Sequence, residues 1–302
     1  MLKHYIAIAR PDHWFKNIFM LPGVLLAFEY CKSPPFLLLL PKVLLGIISI
    51  CLLASANYVI NEWLDAEFDK YHPNKKNRPS VVRKIKAKWV YAEYLLVALS
   101  GLAMAYFITK TYFVLSIIFL VMGFLYNVQP FRTKDRIYVD VLSESINNPL
   151  RLFLGWSIIA HTFPPSSILM SYWMGGAFLM GTKRFAEYRF INDRNRAGLY
   201  RRSFRFYDEK KLLISIIFYA IMSSFFLATF LMKHKIEYIL TFPLFATLFV
   251  WYLNIGFRHN SPVQKPEKLY KETPFIIFLV FLAVVSVVLT KIEVPILHGL
   301  LK

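Results

Sequence analysis

Long, mainly apolar runs punctuated by basic residues follow one another from end to end of the chain. A helix of about 17 to 25 such residues crosses the hydrocarbon of a bilayer. On that length the pattern predicts about nine spans, at 15–30, 41–63, 89–109, 112–126, 139–160, 166–181, 212–232, 238–257 and 274–290. Pro22, Pro149 and Pro243 fall within or beside these runs. Neighbouring helices can satisfy a backbone that proline disturbs there, so they blur boundaries more than they argue against spans. The first run includes Pro22, Gly23 and Glu29 and lacks the clean apolar core and small-residue cleavage site of a signal peptide, so it is expected to remain as a helix. With no short-period repeat, flexible linker or soluble domain in evidence, the expected fold is all-α: a polytopic membrane protein forming one compact domain over residues 1–302.

Composition agrees with the pattern. The 302 residues are 57% hydrophobic and 17% aromatic, too apolar for an ordinary soluble enzyme. Thirty-six Lys and Arg against 18 Asp and Glu leave a formal charge of +18. On a soluble fold that excess would suggest nucleic acid. Here the charges lie between apolar runs, which points to cytoplasmic loops and to membrane lipids as neighbours, with no nucleic acid.

Their distribution predicts an orientation. Placing the amino terminus in the cytoplasm puts Lys3, Arg10 and Lys16 inside, then eight basic residues in 70–88, Arg132, Lys134 and Arg136, ten more in 183–211, and four in 258–271. The outer segments hold seven. The carboxyl terminus is then external. Two cysteines, Cys31 and Cys51, show neither zinc spacing nor a disulfide framework.

Candidate chemistry collects at the inner helix ends. Asn61, Asp65 and Asp69 recur every four residues and therefore share one stripe of a helix. Like charges at that spacing repel unless an ion, a basic residue or water relieves them. Magnesium would suit the stripe, since it takes few carboxylates while keeping waters and accepting substrate phosphate oxygens; a water-facing helix end explains the same residues without metal. Glu62 and Glu67 lie on other faces and suit a salt bridge or solvent contact. Downstream, His72 to Pro79 forms a basic, proline-bounded loop in which Arg78 offers a rigid fork for phosphate, while Lys75 and Lys76 suit membrane anchoring.

A second connection runs from Tyr126 through Arg132 and Lys134 to Asp140 and Glu144, again a pair of acids four residues apart beside basic groups. Asn147, Asn148 and Arg151 enter an apolar run, where a charge needs a cavity or a partner; Arg151 would meet an acid of the protein or an anionic substrate. Lys183, Arg184 and Glu187 form another polar edge, and Lys183 and Glu187 have the spacing of a helical ion pair.

The stripe Asn61-Glu62-Trp63-Leu64-Asp65-Ala66-Glu67-Phe68-Asp69 resembles the first motif of the UbiA superfamily of intramembrane prenyltransferases, with Glu62 in place of the commoner Asp. Arg10-Pro11-Asp12-His13-Trp14-Phe15-Lys16-Asn17, His72-Pro73-Asn74-Lys75-Lys76-Asn77-Arg78-Pro79 and Gly181-Thr182-Lys183-Arg184-Phe185-Ala186-Glu187 are similar to its decaprenyl-phosphate phosphoribosyltransferase branch. Asp140-Val141-Leu142-Ser143-Glu144 resembles the second UbiA motif with Glu in the last place. Tyr126 and Lys134 resemble the preceding tyrosine-to-lysine loop, though Asn127 and Phe131 depart from its usual wording.

The resemblance implies a UbiA-like helical bundle in a bacterial plasma membrane. It also implies magnesium-dependent transfer of a 5-phosphoribosyl group from phosphoribosyl pyrophosphate to a polyprenyl phosphate. By the same likeness Asn61, Asp65, Asp69, Asp140 and Glu144 become metal ligands, with Asp65, Asp69 and Asp140 catalytic. Arg10, Lys16, Asn17, Arg78, Tyr126, Lys134, Arg151, Lys183 and Arg184 become substrate contacts. A homo-oligomer is compatible with this reading. Two alternatives stand beside it: prenyl transfer from a diphosphate to an aromatic or lipid acceptor, and lipid binding or transport without bond formation.

Overall fold

A computed structural model describes residues 2–31, 35–82, 85–234, 236–289 and 291–298. Among them the regular structure is helical. The helices are α1 Leu2–Ile8, α2 Leu21–Tyr30, α3 Phe36–Asp69, α4 Pro79–Val82, α5 Ala87–Tyr106, α6 Lys110–Asn127, α7 Val139–Ser145, α8 Asn147–Ser157, α9 Ser166–Ile191, α10 Arg194–Tyr200, α11 Glu209–His234, α12 Phe242–Phe257, α13 Thr273–Leu289 and α14 Pro295–His298. Short 3-10 turns join several of them.

Among the described residues five segments are long and apolar enough to cross a membrane: α3, α5, α6, α11 and the run Ile236–Phe257 that includes α12. The apolar α13 is shorter, at 17 residues, and Thr290, the expected last residue of that span, lies outside the described residues. The predicted run at 166–181 lies within α9. Exposed Leu37, Leu96, Phe225 and Val287 give these helices the apolar exterior that hydrocarbon requires.

Two predicted spans are not single α-helices. Residues 15–30 form a 3-10 segment, Pro11–Met20, followed by α2, whose first turn holds Pro22. Proline lacks the N–H that a continuous helix would use and suits a first turn, so the helix restarts there. Residues 139–160 divide into α7 and α8 at Ile146, and Pro149 sits in the first turn of α8 for the same reason. At ten residues α2 is too short to cross about 30 Å of hydrocarbon.

Contacts group the chain into two compact units, 1–164 with 191–208 and 165–190 with 209–302. In the first, α3 packs along α5 and α6, and α2 lies against α8. The α2–α8 contact depends on two glycines: a Cβ on Gly23 would fall on the carbonyl of Leu152, and one on Gly155 on the carbonyl of Met20. Polar groups also join the helices. Ser49 donates to the carbonyl of Gly101 at 2.8 Å and Tyr112 to that of Gly46 at 2.8 Å, bonds that an apolar surrounding leaves without competition from water. In the second unit Ser171 and Ser223 exchange hydroxyl-to-carbonyl bonds of 3.1 and 3.0 Å between α9 and α11, while Phe178 packs on Phe249 and Phe185 on Phe257. Cys31 and Cys51 are both free thiols.

Candidate functional site

The acidic stripe lies on the last turns of α3, which continues as a helix from its apolar portion through Asp69. Carboxylates at a helix carboxyl terminus meet the negative end of the helix dipole as well as each other. Cations answer both repulsions. Asp65 Oδ1 lies 2.5 Å from Lys134 Nζ and 3.0 Å from an Arg132 nitrogen, and Asp69 Oδ2 lies 2.5 Å from an Arg78 nitrogen. Of the three means of relief open to the sequence, ion, basic residue or water, the fold supplies basic residues.

The Lys134 ammonium is enclosed by oxygens. Besides Asp65 it donates to Asn61 Oδ1 at 3.0 Å and to Asn127 Oδ1 at 2.7 Å, and it lies 5.7 Å from the centre of the Tyr126 ring. Burial pushes its pKa down to about 8, against the opposing pull of Asp65. The turn that delivers it begins at Arg132, whose φ of 28° is left-handed and costs a non-glycine residue about 1 to 3 kcal/mol. Bonds from the Arg132 guanidinium to Asp65, to Asp135 at 3.2 Å and to the Asn127 carbonyl at 3.1 Å hold it there.

Tyr126 joins this cluster to the second acidic pair. Its ring faces Lys134, and its hydroxyl donates to Glu144 Oε2 at 2.8 Å. Arg201 reaches both the Tyr126 hydroxyl and Asp140 Oδ2, each at 3.4 Å. Asp140 is fully buried and also accepts from Tyr207 at 2.8 Å and Ser203 at 3.1 Å. The two acidic rows thus belong to one continuous polar network within the first unit.

Other expected residues lie along its flanks. Arg78, half-buried beside Asp69 and Glu62, has its pKa raised by those acids despite desolvation. His72 accepts from the backbone N–H groups of Asn74 and Lys75 through Nδ1, so it organises the loop. Arg10 and Lys16 approach opposite nitrogens of the buried His13 ring, at 2.5 and 3.0 Å. Arg151 donates to Asn17 Oδ1 at 2.9 Å and lies 5.3 Å from the centre of the Phe119 ring. Of the two partners expected for it, an acid of the protein or an anionic substrate, the acid is not found: among the described residues its hydrogen bonds go to Asn17 and the Asn147 carbonyl, both neutral. Arg184 pairs with Glu187 at 3.2 Å in the buried interior of the second unit, on the same helix as Lys183.

Several members had no signal in sequence. Arg201, Ser203 and Tyr207 look like ordinary residues of a basic loop, and only the fold brings them to Asp140. Asn127 read as a departure from a family wording, yet its side chain is one wall of the Lys134 enclosure. Glu62, expected in a salt bridge or solvent contact, is buried and accepts from Ser80 at 3.4 Å.

The donor set fits a hard divalent cation held partly by substrate. Asn61, Asp65 and Asn127 oxygens already converge on a positive charge, the lysine ammonium. Among the described residues no three His, Cys, Asp or Glu side chains are grouped to hold a metal ion. Magnesium can be held by one or two carboxylates with water and substrate phosphate completing the shell.

The profile of the UbiA prenyltransferase family matches residues 17–283. Decaprenyl-phosphate phosphoribosyltransferase of Mycobacterium tuberculosis is 27% identical over 179 residues, 59% of this chain and 58% of that protein, so the match spans less than two thirds of the relative. Nodulation protein NoeC of Azorhizobium caulinodans is 28% identical over 211 residues, 68% of this chain and 64% of that one. A solved UbiA homolog from Archaeoglobus fulgidus, bound to DMAPP and Mg2+, aligns with a TM-score of 0.70 at 20% identity, covering 96% of this chain and 100% of that chain. At that identity the likeness speaks for the fold. With the profile extending through both compact units, the chain, an integral membrane protein by its apolar helices, belongs to the UbiA prenyltransferase family.

Proposed function

We propose that this protein transfers a 5-phosphoribosyl group from phosphoribosyl pyrophosphate to a polyprenyl phosphate and releases pyrophosphate. The observation that carries the reading is the juxtaposition on α3 of Asp65 and Asp69 with Lys134, Arg132 and Arg78, carboxylates for a metal beside cations for phosphate. The resemblance of its motifs to the phosphoribosyltransferase branch and the 27% identity to a protein of that name support the choice of donor.

Asn61, Asp65 and Asp69 would hold Mg2+, with Asp140 and Glu144 as the second acidic pair. When bound, the ion supplies charge neutralisation for the departing pyrophosphate. Lys134 and Arg78 orient donor phosphates, and Arg10 and Lys16 close the amino-terminal side. Arg151, a buried cation with neutral partners, favours an anionic group such as the acceptor phosphate, held with Asn17. The acceptor oxygen is already anionic, so no protein base is required, and catalysis rests on alignment and electrostatics. The polyprenyl tail stays among apolar helices. The excess of basic residues in the loops supports a cytoplasmic amino terminus in a bacterial plasma membrane.

A second reading, prenyl transfer from a diphosphate to an aromatic or lipid acceptor, draws on the same acidic rows and is favoured by the DMAPP and Mg2+ bound to the Archaeoglobus fulgidus homolog. One substrate panel separates them. Purified protein in detergent is incubated with Mg2+, polyprenyl phosphates of several lengths and phosphoribosyl pyrophosphate, and in parallel with prenyl diphosphates and aromatic acceptors. Mass spectrometry should show a lipid-linked ribosyl phosphate that disappears with EDTA. Its absence across all chain lengths would defeat the first reading, and an aromatic prenyl product would establish the second.

A further inference from the structure

Beyond the acidic stripe, Arg132, Arg136, Arg202 and Arg205 line a cleft of about 290 Å³ whose one acidic lining residue is Asp135. That carboxylate is shared, 3.2 Å from Arg132 and 3.4 Å from Arg202. Among the described residues Arg205 bonds only the Gly198 carbonyl, at 3.3 Å, and Arg136 has no ion pair. Arg132 and Arg202 both lie over the Phe68 ring, at 4.8 and 5.3 Å, which keeps two of these cations close together. With Asp65 also bonded to Arg132, the four guanidiniums meet two carboxylates, and an anion joining them would lower their mutual repulsion. Phe131 and Phe206 also line the cleft and are exposed, giving an anion's organic body an apolar surface.

We propose that this cleft is a second phosphate site, separate from the stripe of Asn61, Asp65 and Asp69, and that it takes a phosphate or diphosphate group. Guanidinium forks match phosphate oxygens in pairs, and the volume suits a head group rather than a whole nucleotide or lipid. Arg132 is common to the two places: one nitrogen faces Asp65 while its side chain walls the cleft. The phosphate belongs either to a soluble diphosphate or to the head group of an anionic lipid. This inference does not depend on the transfer reaction.

The test uses the full chain in phosphatidylcholine nanodiscs with EDTA, so that no divalent ion supports phosphate on the acidic stripe. Calorimetry with inorganic pyrophosphate should show binding to the unaltered protein. The exposed pair Arg136→Ala with Arg205→Ala should weaken it by about tenfold or more, since two charge-assisted contacts are lost. Asp65→Asn leaves Arg132 with one carboxylate fewer and should bind pyrophosphate at least as tightly. Loss of binding in Asp65→Asn, or equal binding by the double variant and the unaltered protein, would overturn the proposal.

A second arm replaces part of the phosphatidylcholine with phosphatidylglycerol. Competition that weakens pyrophosphate binding in the unaltered protein but not in the double variant assigns the cleft to lipid phosphate. Unchanged binding assigns it to a soluble anion. Absence of pyrophosphate binding in the first arm, with no difference in phosphatidylglycerol retention between the two proteins, would also overturn it. Because turnover needs Mg2+ and this binding does not, failure here leaves the transfer reaction standing, and the reverse also holds.

Discussion

The Lys134 ammonium lies 2.5 Å from Asp65 Oδ1, with Asn61 and Asn127 oxygens completing its surroundings. The lysine occupies the position of a hard cation at an acidic helix end, so a Mg2+ bound as proposed would compete with it for the same oxygens. Asp65→Asn and Asp69→Asn should each lower Mg2+-dependent transfer by about 100-fold or more, as expected for groups that stabilise charge in the transition state. Combining Asp65→Asn with Lys134→Met should give a thermal stability loss smaller than the sum of the single losses, by about 1 to 3 kcal/mol. Full turnover in both carboxylate variants would remove the stripe from the site.

Asp140 should separate by substitution into a structural and a chemical part. Its buried carboxylate accepts from Tyr207 and Ser203 and faces Arg201. Asp140→Ala strands that cation and two hydroxyls, and should destabilise the protein by about 3 to 5 kcal/mol in thermal unfolding. Asp140→Asn retains acceptor oxygen and should unfold at a temperature nearer the parent. If its Mg2+ dependence is also unchanged, Asp140 positions residues 201–207 and is not a metal ligand.

Arg151→Met replaces a buried cation having neutral partners with an apolar side chain of similar length. Removing the guanidinium relieves its desolvation but leaves the buried Asn17 Oδ1 without its donor, so stability should change by no more than about 1 to 3 kcal/mol. KM for the polyprenyl phosphate should rise by about tenfold or more through loss of a charge-assisted contact. An unchanged KM with lowered stability would make Arg151 a packing residue.

Gly155→Leu tests the α2–α8 approach. The new side chain would meet the Met20 carbonyl and the Val24 backbone nitrogen, neither of which can turn aside. A loss of about 1 to 3 kcal/mol in detergent, or failure to accumulate, is expected from such overpacking. Gly175→Ala is the control, since its Cβ would meet only the Ser223 hydroxyl, at 3.1 Å, and should cost less.

Helical class and membrane character were legible in the sequence because each is a local property. A run of apolar residues long enough for a bilayer must satisfy its own backbone, and a helix does so residue by residue. The same reasoning aligned Asn61, Asp65 and Asp69 on one face, since helical periodicity alone decides that. It was less able to place breaks: whether Pro22 and Pro149 bend a span or divide it depends on what the neighbouring backbone can bond.

The partners of the acids were beyond any local rule. Nothing in the spacing of Lys134, Arg132, Arg201 or Tyr207 says which carboxylate each will meet, because those meetings depend on how α3 packs against α6 and on the path of loops 128–138 and 201–208. Sequence periodicity by itself determined that the chain is a set of apolar helices with carboxylates lined up at one end of α3. Only the tertiary structure decided that lysine and arginine neutralise that end, that Tyr126 links it to Glu144, and that four arginines gather beside it. Backbone hydrogen bonding acts over a single turn, whereas charge pairing acts across space and waits for the fold to bring its partners together.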